Sequence, residues 1–142
     1  MEALSVRTVE YFYIRVEDEP GKAYELLRTL AAEEVNLLAF SAVPYGKDRV
    51  ELTIFPDRPD ALVRAGAKYG WSLSGAQHAC LIQGDDQLGA LADIQKKLID
   101  AGVSIYASTG ITDGHGRFGY VIYFKEGDHI AAQHALMSSE HV

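Results

Sequence analysis

The stretch Val16-Glu17-Asp18-Glu19-Pro20-Gly21-Lys22-Ala23 closes one pattern of side chains and opens another. Before it, Phe12, Ile14 and Val16 alternate with Tyr11, Tyr13 and Arg15, the period of a half-buried strand over residues 9–16. After it, Ala23, Leu26, Leu27, Leu30 and Ala31 recur at helical spacing and give one apolar face. Proline suits the first helical position, and acidic residues suit the positive end of the helix dipole. Shifted by 68 residues, Gly84-Asp85-Asp86-Gln87-Leu88-Gly89-Ala90-Leu91 occupies the same place. It lies between a strand pattern over 77–83 and a helical face of Leu91, Ile94, Leu98 and Ile99. The stretch therefore predicts strand, turn and helix twice.

The same shift of 68 carries through most of the chain without a gap. Ile14 falls on Ile82, Asp18 on Asp86, Gly21 on Gly89, Leu30 on Leu98 and Val35 on Val103. Gly46 falls on Gly114, Arg49 on Arg117, Ile54 on Ile122, Asp60 on Asp128 and Ala67 on Ala135. An unbroken register of this length marks two copies of one unit, with the seam near residues 74–78. Two modules are expected, over 1–75 and 76–142. Further strands are expected at 36–43 and 104–111. Turns follow at Tyr45-Gly46-Lys47-Asp48 and Asp113-Gly114-His115-Gly116. Val50, Leu52 and Ile54, matched by Phe118, Tyr120 and Ile122, then give strands whose apolar side faces the helices. Second helices start near Asp60 and Asp128, and Trp71-Ser72-Leu73 gives a closing strand. The fold class is α+β: two tandem ferredoxin-like βαββαβ modules, antiparallel sheets with helices on one face. The second copy ends in the short polar run Ser138-Ser139-Glu140-His141-Val142. Its last strand is expected to be missing, leaving an edge for another chain or segment to cover.

Length and composition agree with this plan. The 142 residues allow one medium domain or two of about 70 residues. Hydrophobic residues make up 48% and charged residues 23%, the balance of a globular protein rather than a disordered one. Twenty acidic residues against 13 basic give a formal charge of −7, which repels phosphate backbones and anionic membranes. The lone cysteine, Cys80, has no partner for an internal disulfide, and a reducing compartment is expected. No apolar run reaches membrane-spanning length and the N-terminus has no signal-peptide pattern, so the expected address is the cytoplasm.

The two strand-to-helix turns carry the most chemistry. A glycine at a helix start lets another group approach the backbone, where free N–H groups and the dipole attract an anion. Asp18, Asp85 and Asp86 stand near enough in sequence to receive an ammonium. A site with both features suits the zwitterionic head of an amino acid; the plainer reading is that these residues only start two helices.

Here the chain resembles the ACT domain family. The resemblance rests on the strand ending at Val16, the turn Asp18-Glu19-Pro20-Gly21, the amphipathic helix, and Val35-Asn36-Leu37 leading into the second strand. The second copy keeps Asp86 and Gly89 but has Leu88 in place of proline and Ser104 in place of asparagine. ACT domains are small regulatory modules that typically bind amino acids where two domains pair. The ligand lies between the strand–helix turn of one domain and the start of the second strand of its neighbour. The resemblance thus implies ligand-binding roles for Asp18, Glu19, Pro20, Gly21 and Asn36, and for Asp86, Gln87, Leu88, Gly89 and Ser104. It also implies a regulated partner on a separate chain.

Other motifs point to no second chemistry. Gly114-His115-Gly116-Arg117-Phe118-Gly119 matches the spacing of a dinucleotide fingerprint, but Tyr120–Phe124 reads as a strand and not as the helix that such a loop must precede. Arg117–Tyr123 partly matches the aromatic strand of an RNA-recognition motif. The second copy has eight acidic residues against four basic, and its first strand, Cys80-Leu81-Ile82, lacks the expected aromatic. Tyr11, Tyr13 and Phe55 on the helix-free face are expected to pack against another sheet, which suggests a homodimer. The histidines are scattered in sequence, with His129 and His134 off a common helical face, so no metal site is expected. No nucleophile or base stands out. The chain therefore reads as a non-enzymatic regulatory protein that binds a small ligand, with no cofactor, no nucleic acid and no membrane. The alternatives are a small ferredoxin-like enzyme with a pocket between sheet and helices, or a purely structural interaction module.

Overall fold

The computed structural model describes residues 4–125 and 127–138. The order of elements is a five-part series that occurs twice. The first pass is β1 (Ser5–Glu17), α1 (Lys22–Ala32), β2 (Leu37–Tyr45), β3 (Arg49–Pro56) and α2 (Pro59–Tyr69). The second is β4 (Gln77–Asp85), α3 (Ala90–Asp100), β5 (Ile105–Thr112), β6 (Arg117–Phe124) and α4 (Asp128–Ser138). The chain divides into two compact units. One comprises Glu10–Gln77, and the other joins the N-terminal residues through Val9 to those from His78 onward.

In the Glu10–Gln77 unit, β3 lies antiparallel between β1 and β2, with Phe12 opposite Ile54 and Phe40 opposite Ile54 on the other side. The strands alternate, so Phe12, Ile14, Leu52 and Ile54 meet Leu26 and Leu30 of α1 and Ala61 and Leu62 of α2 in one core. Pro59 stands in the first turn of α2, and Gly70 ends the helix in the left-handed conformation. The expected closing strand at Trp71-Ser72-Leu73 does not form. That segment has no ladder, and what ties the following residue down is Ser74 N–H donating to Tyr13 O (2.9 Å) and Ser74 Oγ accepting from Tyr13 N–H (2.8 Å). Trp71 and Leu73 still pack on the core, so these apolar residues bury themselves without forming a strand.

In the other unit β6 lies antiparallel between β4 and β5, and Cys80, Ile82, Tyr120 and Ile122 meet Ile94, Leu98, Ala132 and Leu136. The far side of β4 is occupied by β1, of which residues 5–9 belong to this unit. Leu4 and Val6 pack on its core. The expectation of a missing last strand falls on residues 139–142, which lie outside the described residues. The edge itself is covered, and the cover is the start of the chain.

The helix-free face differs from expectation. Tyr11 and Phe55 are buried, at 5% and 2% exposure, and their rings stack at 5.0 Å. Tyr13, the third aromatic residue expected on that face, is only half-buried.

Candidate functional site

At the first turn the chain leaves β1 at Glu17. Asp18 N–H donates to Asp48 O (2.9 Å), which anchors the turn to the β2–β3 hairpin, and Lys22 N–H donates to Glu19 O (3.2 Å) across Pro20-Gly21. Gly21 precedes α1 with φ +87°, a left-handed conformation that favours glycine, and a Cβ there would meet nothing within 4 Å. The glycine is thus required by conformation, and the space beside it is open. No side chain caps α1, so the donors of its first turn other than Lys22 N–H keep their pull on an anion.

The second turn repeats these bonds. Asp86 N–H donates to Gly116 O (2.8 Å), Ala90 N–H to Gln87 O (3.0 Å) and Asp93 N–H to Gly89 O (3.0 Å), with Gly89 at φ +83° and α3 also uncapped by a side chain. Leu88, at the proline position, projects fully into solvent. Its substitution leaves the backbone of the turn unchanged.

Asn36 and Ser104 are exposed at the starts of β2 and β5. Asn36 O accepts from Asp57 N–H (2.9 Å). Each lies past the far end of the helix that its turn begins. The 11 residues of α1 span roughly 16 Å. Within one unit the structure therefore does not bring Asp18, Glu19, Pro20 and Gly21 together with Asn36. Nor does it bring Asp86, Gln87, Leu88 and Gly89 together with Ser104.

Asp18 and Glu19 line a recess of about 670 Å³ with Lys47, Asp48 and Arg49 of the β2–β3 turn. Glu19 stands 3.9 Å from Lys22 Nζ. Asp85 does not serve as a free acceptor for an ammonium, because its carboxylate is paired with Arg117 at 2.9 Å. The glycines of Gly114–Gly119 belong to a hairpin. Asp113 Oδ1 accepts from His115 N–H (2.6 Å) and Arg117 N–H (3.1 Å), which folds the chain from β5 back into β6.

The structure assembles histidines that look scattered in the sequence. His78 of β4 and His129 of α4 stack with ring centroids 4.4 Å apart and planes 9° from parallel. With His134, Thr8, Gln133 and Met137 they line a recess of about 550 Å³. Burial, and then the charge of His78, holds the His129 imidazole below its ordinary pKa. The spacing of His129, Gln133 and Met137 along one helical face was a usable signal, whereas His78 joins them only through the fold. Among the described residues no group of three or more His, Cys, Asp or Glu is arranged to hold a metal ion. Cys80 is fully buried and its thiol is pushed up to about 11, chiefly by burial, which makes it a core residue rather than a nucleophile. No described helix is long and apolar enough to cross a membrane.

No protein-family model matches the chain, and no curated protein sequence matches it. Solved structures do. A protein from Bacteroides thetaiotaomicron is similar over 95% of this chain and 90% of its own, with TM-score 0.81 and 20% identity. The ligand-free regulatory subunit of aspartate kinase from Thermus thermophilus covers 96% of this chain and 95% of its own, with TM-score 0.65 and 15% identity. That of Thermus flavus covers 98% and 96%, with TM-score 0.57 and 16% identity. At these identities the likeness is one of fold. The chain has the fold of these regulatory subunits, in agreement with its resemblance to the ACT domain family.

Proposed function

We propose that this protein is a non-catalytic, cytoplasmic regulator built of two βαββα modules, which binds an amino acid at the strand–helix turns. The observation that carries this reading is the repeated turn. Twice, a glycine held at positive φ by the same backbone bonds opens an uncapped helix into free space. Asp18, Asp86, Gln87 and Asn36 are exposed beside these turns or at the second-strand starts. In the proposed site the helix N-terminus takes the ligand carboxylate and Asp18 takes its ammonium. The second-strand start of a paired module, Asn36, completes the site. Regulation follows from linkage: a ligand that prefers one arrangement of modules stabilises that arrangement, and a separate partner chain senses it. The likeness to regulatory subunits of an amino-acid kinase supports the reading.

The test is thermal unfolding in the presence of each of the twenty amino acids. A ligand at a hundred times its dissociation constant adds about 2.7 kcal/mol of stability. Asn36→Ala and Gly21→Ala abolish that gain in a protein that still unfolds cooperatively. The absence of stabilisation by any amino acid contradicts the proposal.

A homodimer belongs to the same reading. β5 is an edge strand with no charged residue from Ile105 to Thr112, and it exposes Tyr106 and Ile111 at 75% and 73%. Such an unguarded edge is a template for a second strand. Sedimentation of the wild type gives a dimer and of Ile111→Lys a monomer; a wild-type monomer refutes the pairing.

A further inference from the structure

The Glu10–Gln77 unit contains a recess of about 500 Å³ between α1 and the segment that follows α2. Its apolar lining is Ile14 and Val16 of β1, Leu26 of α1 and the indole of Trp71. The opening exists because that segment does not run as a strand alongside β1. In the other unit the corresponding position is filled. Gly84 matches Val16, and a Cβ on Gly84 would stand 2.7 Å from Leu4 Cδ2.

The polar lining is lopsided in charge. Lys22 and Arg28 supply two cations against the single carboxylate of Glu25. Arg28 makes no hydrogen bond or ion pair with any described residue. Lys22 reaches only Glu19, at 3.9 Å, with both side chains about half exposed, 43% and 50%. Thr29 is already committed, its hydroxyl donating to Glu25 O at 2.8 Å. An exposed guanidinium that lines the same recess as a second cation and an apolar surface is able to take a carboxylate in a bidentate grip.

We propose that this recess binds a small carboxylate with an apolar body, the carboxylate on Arg28 and Lys22 and the body against Trp71. The volume lies in the range of small-molecule sites, and a few polar groups over an apolar lining is their usual composition. An indole wall favours an aromatic or branched body. The site shares Lys22 with the first strand–helix turn, but Arg28 and Trp71 lie outside that turn and away from Asn36, so it stands or falls on them.

Trp71 is the only tryptophan of the chain, so its fluorescence reports on the recess alone. The probe is 3-phenylpropionate, and the control is 2-phenylethylamine, of the same body and opposite charge. The carboxylate produces a saturable change in Trp71 emission and the amine produces none. Arg28→Gln and Lys22→Gln each weaken binding by about tenfold, the loss of one charge-assisted hydrogen bond. Arg64→Gln, which breaks a surface pair on α2, leaves the affinity unchanged. No saturable change, an equal response to the amine, or undiminished affinity in the Arg28 and Lys22 variants overturns the proposal.

Discussion

The two units share a ladder and differ in what closes it. The β1–β3 pairs from Phe12↔Ile54 to Glu17↔Arg49 recur in β4 and β6 at a shift of 68, from Cys80↔Ile122 to Asp85↔Arg117. Even the bulge between Leu37 and Ala39 recurs between Ile105 and Ala107. The closing elements have no such correspondence. One unit is closed by an irregular segment after its second helix, the other by strand residues that precede it in the chain. Side-chain chemistry diverges too. The positions of Leu27, Phe40 and Leu52 are Gln95, Ser108 and Tyr120 in the second copy. There the Tyr120 hydroxyl accepts from Gln95 Nε2 (2.7 Å) and donates to Ser108 Oγ (3.0 Å). A fixed backbone ladder thus tolerates a different closing element and a polar triad, provided each buried polar atom finds a partner.

The sharpest way to break this comparison is to give Gly84 the side chain of its counterpart, Val16. Gly84→Val drives a Cβ toward Leu4 and the Phe118 ring, which stands 3.1 Å from the added atom, and costs about 2 kcal/mol in urea unfolding. Leu4→Ala in the same chain relieves part of that cost. A double-mutant cycle with no coupling would show that Leu4 does not close this unit.

A smaller effect lies at the helix ends. Glu34 is the one non-glycine residue at positive φ among the described residues, at 59°, and its counterpart is Gly102 at 77°. Glu34→Gly relieves a left-handed side-chain conformation and raises stability by about 1 kcal/mol. Gly102→Ala lowers it by a similar amount. Opposite signs at matched positions would confirm that the two turns have the same backbone; a loss in both would deny it.

The smallest effect concerns the histidine recess, which has no counterpart in the other unit. His129 has a folded-state pKa below its ordinary 6.5, from burial first and then from His78. Below pH 6.5 the unfolded chain therefore binds more protons than the folded one, and stability falls as pH drops toward the folded-state value. The groups facing His129 are His78 from β4, His134 from its own helix and the uncharged Thr8 from β1. His129→Gln flattens the dependence of melting temperature on pH in that window. An unchanged slope would remove His129 from the account.

Much of this fold was readable because its signals are local. The helical faces Ala23–Ala31 and Leu91–Ile99, repeated at a shift of 68, fall within α1 and α3, and the hairpin glycines declared their turns. Both strand–helix turns were legible for the same reason, since Gly21 and Gly89 answer to the residues beside them. What failed depends on pairings distant in sequence. Leu4 and Val6 alternate with Ser5 and Arg7 but carry no mark of the edge they cover. His78 and His129 each look solitary until β4 and α4 pack. Asp85 looked available until the hairpin brought Arg117 beside it. The distance from Gly21 to Asn36 follows from helix length, but what completes either half of the candidate site is a matter of assembly, to which no local pattern speaks.

The central claim is that the strand–helix turn with Asn36 receives an amino acid. Amide proton–nitrogen spectra, recorded as the most stabilising amino acid is added, test it directly. The Gly21 backbone amide and the Asn36 side-chain amide should move together with a single dissociation constant, while the Trp71 indole resonance stays in place. A stabilised protein in which Gly21 and Asn36 do not move would contradict the account.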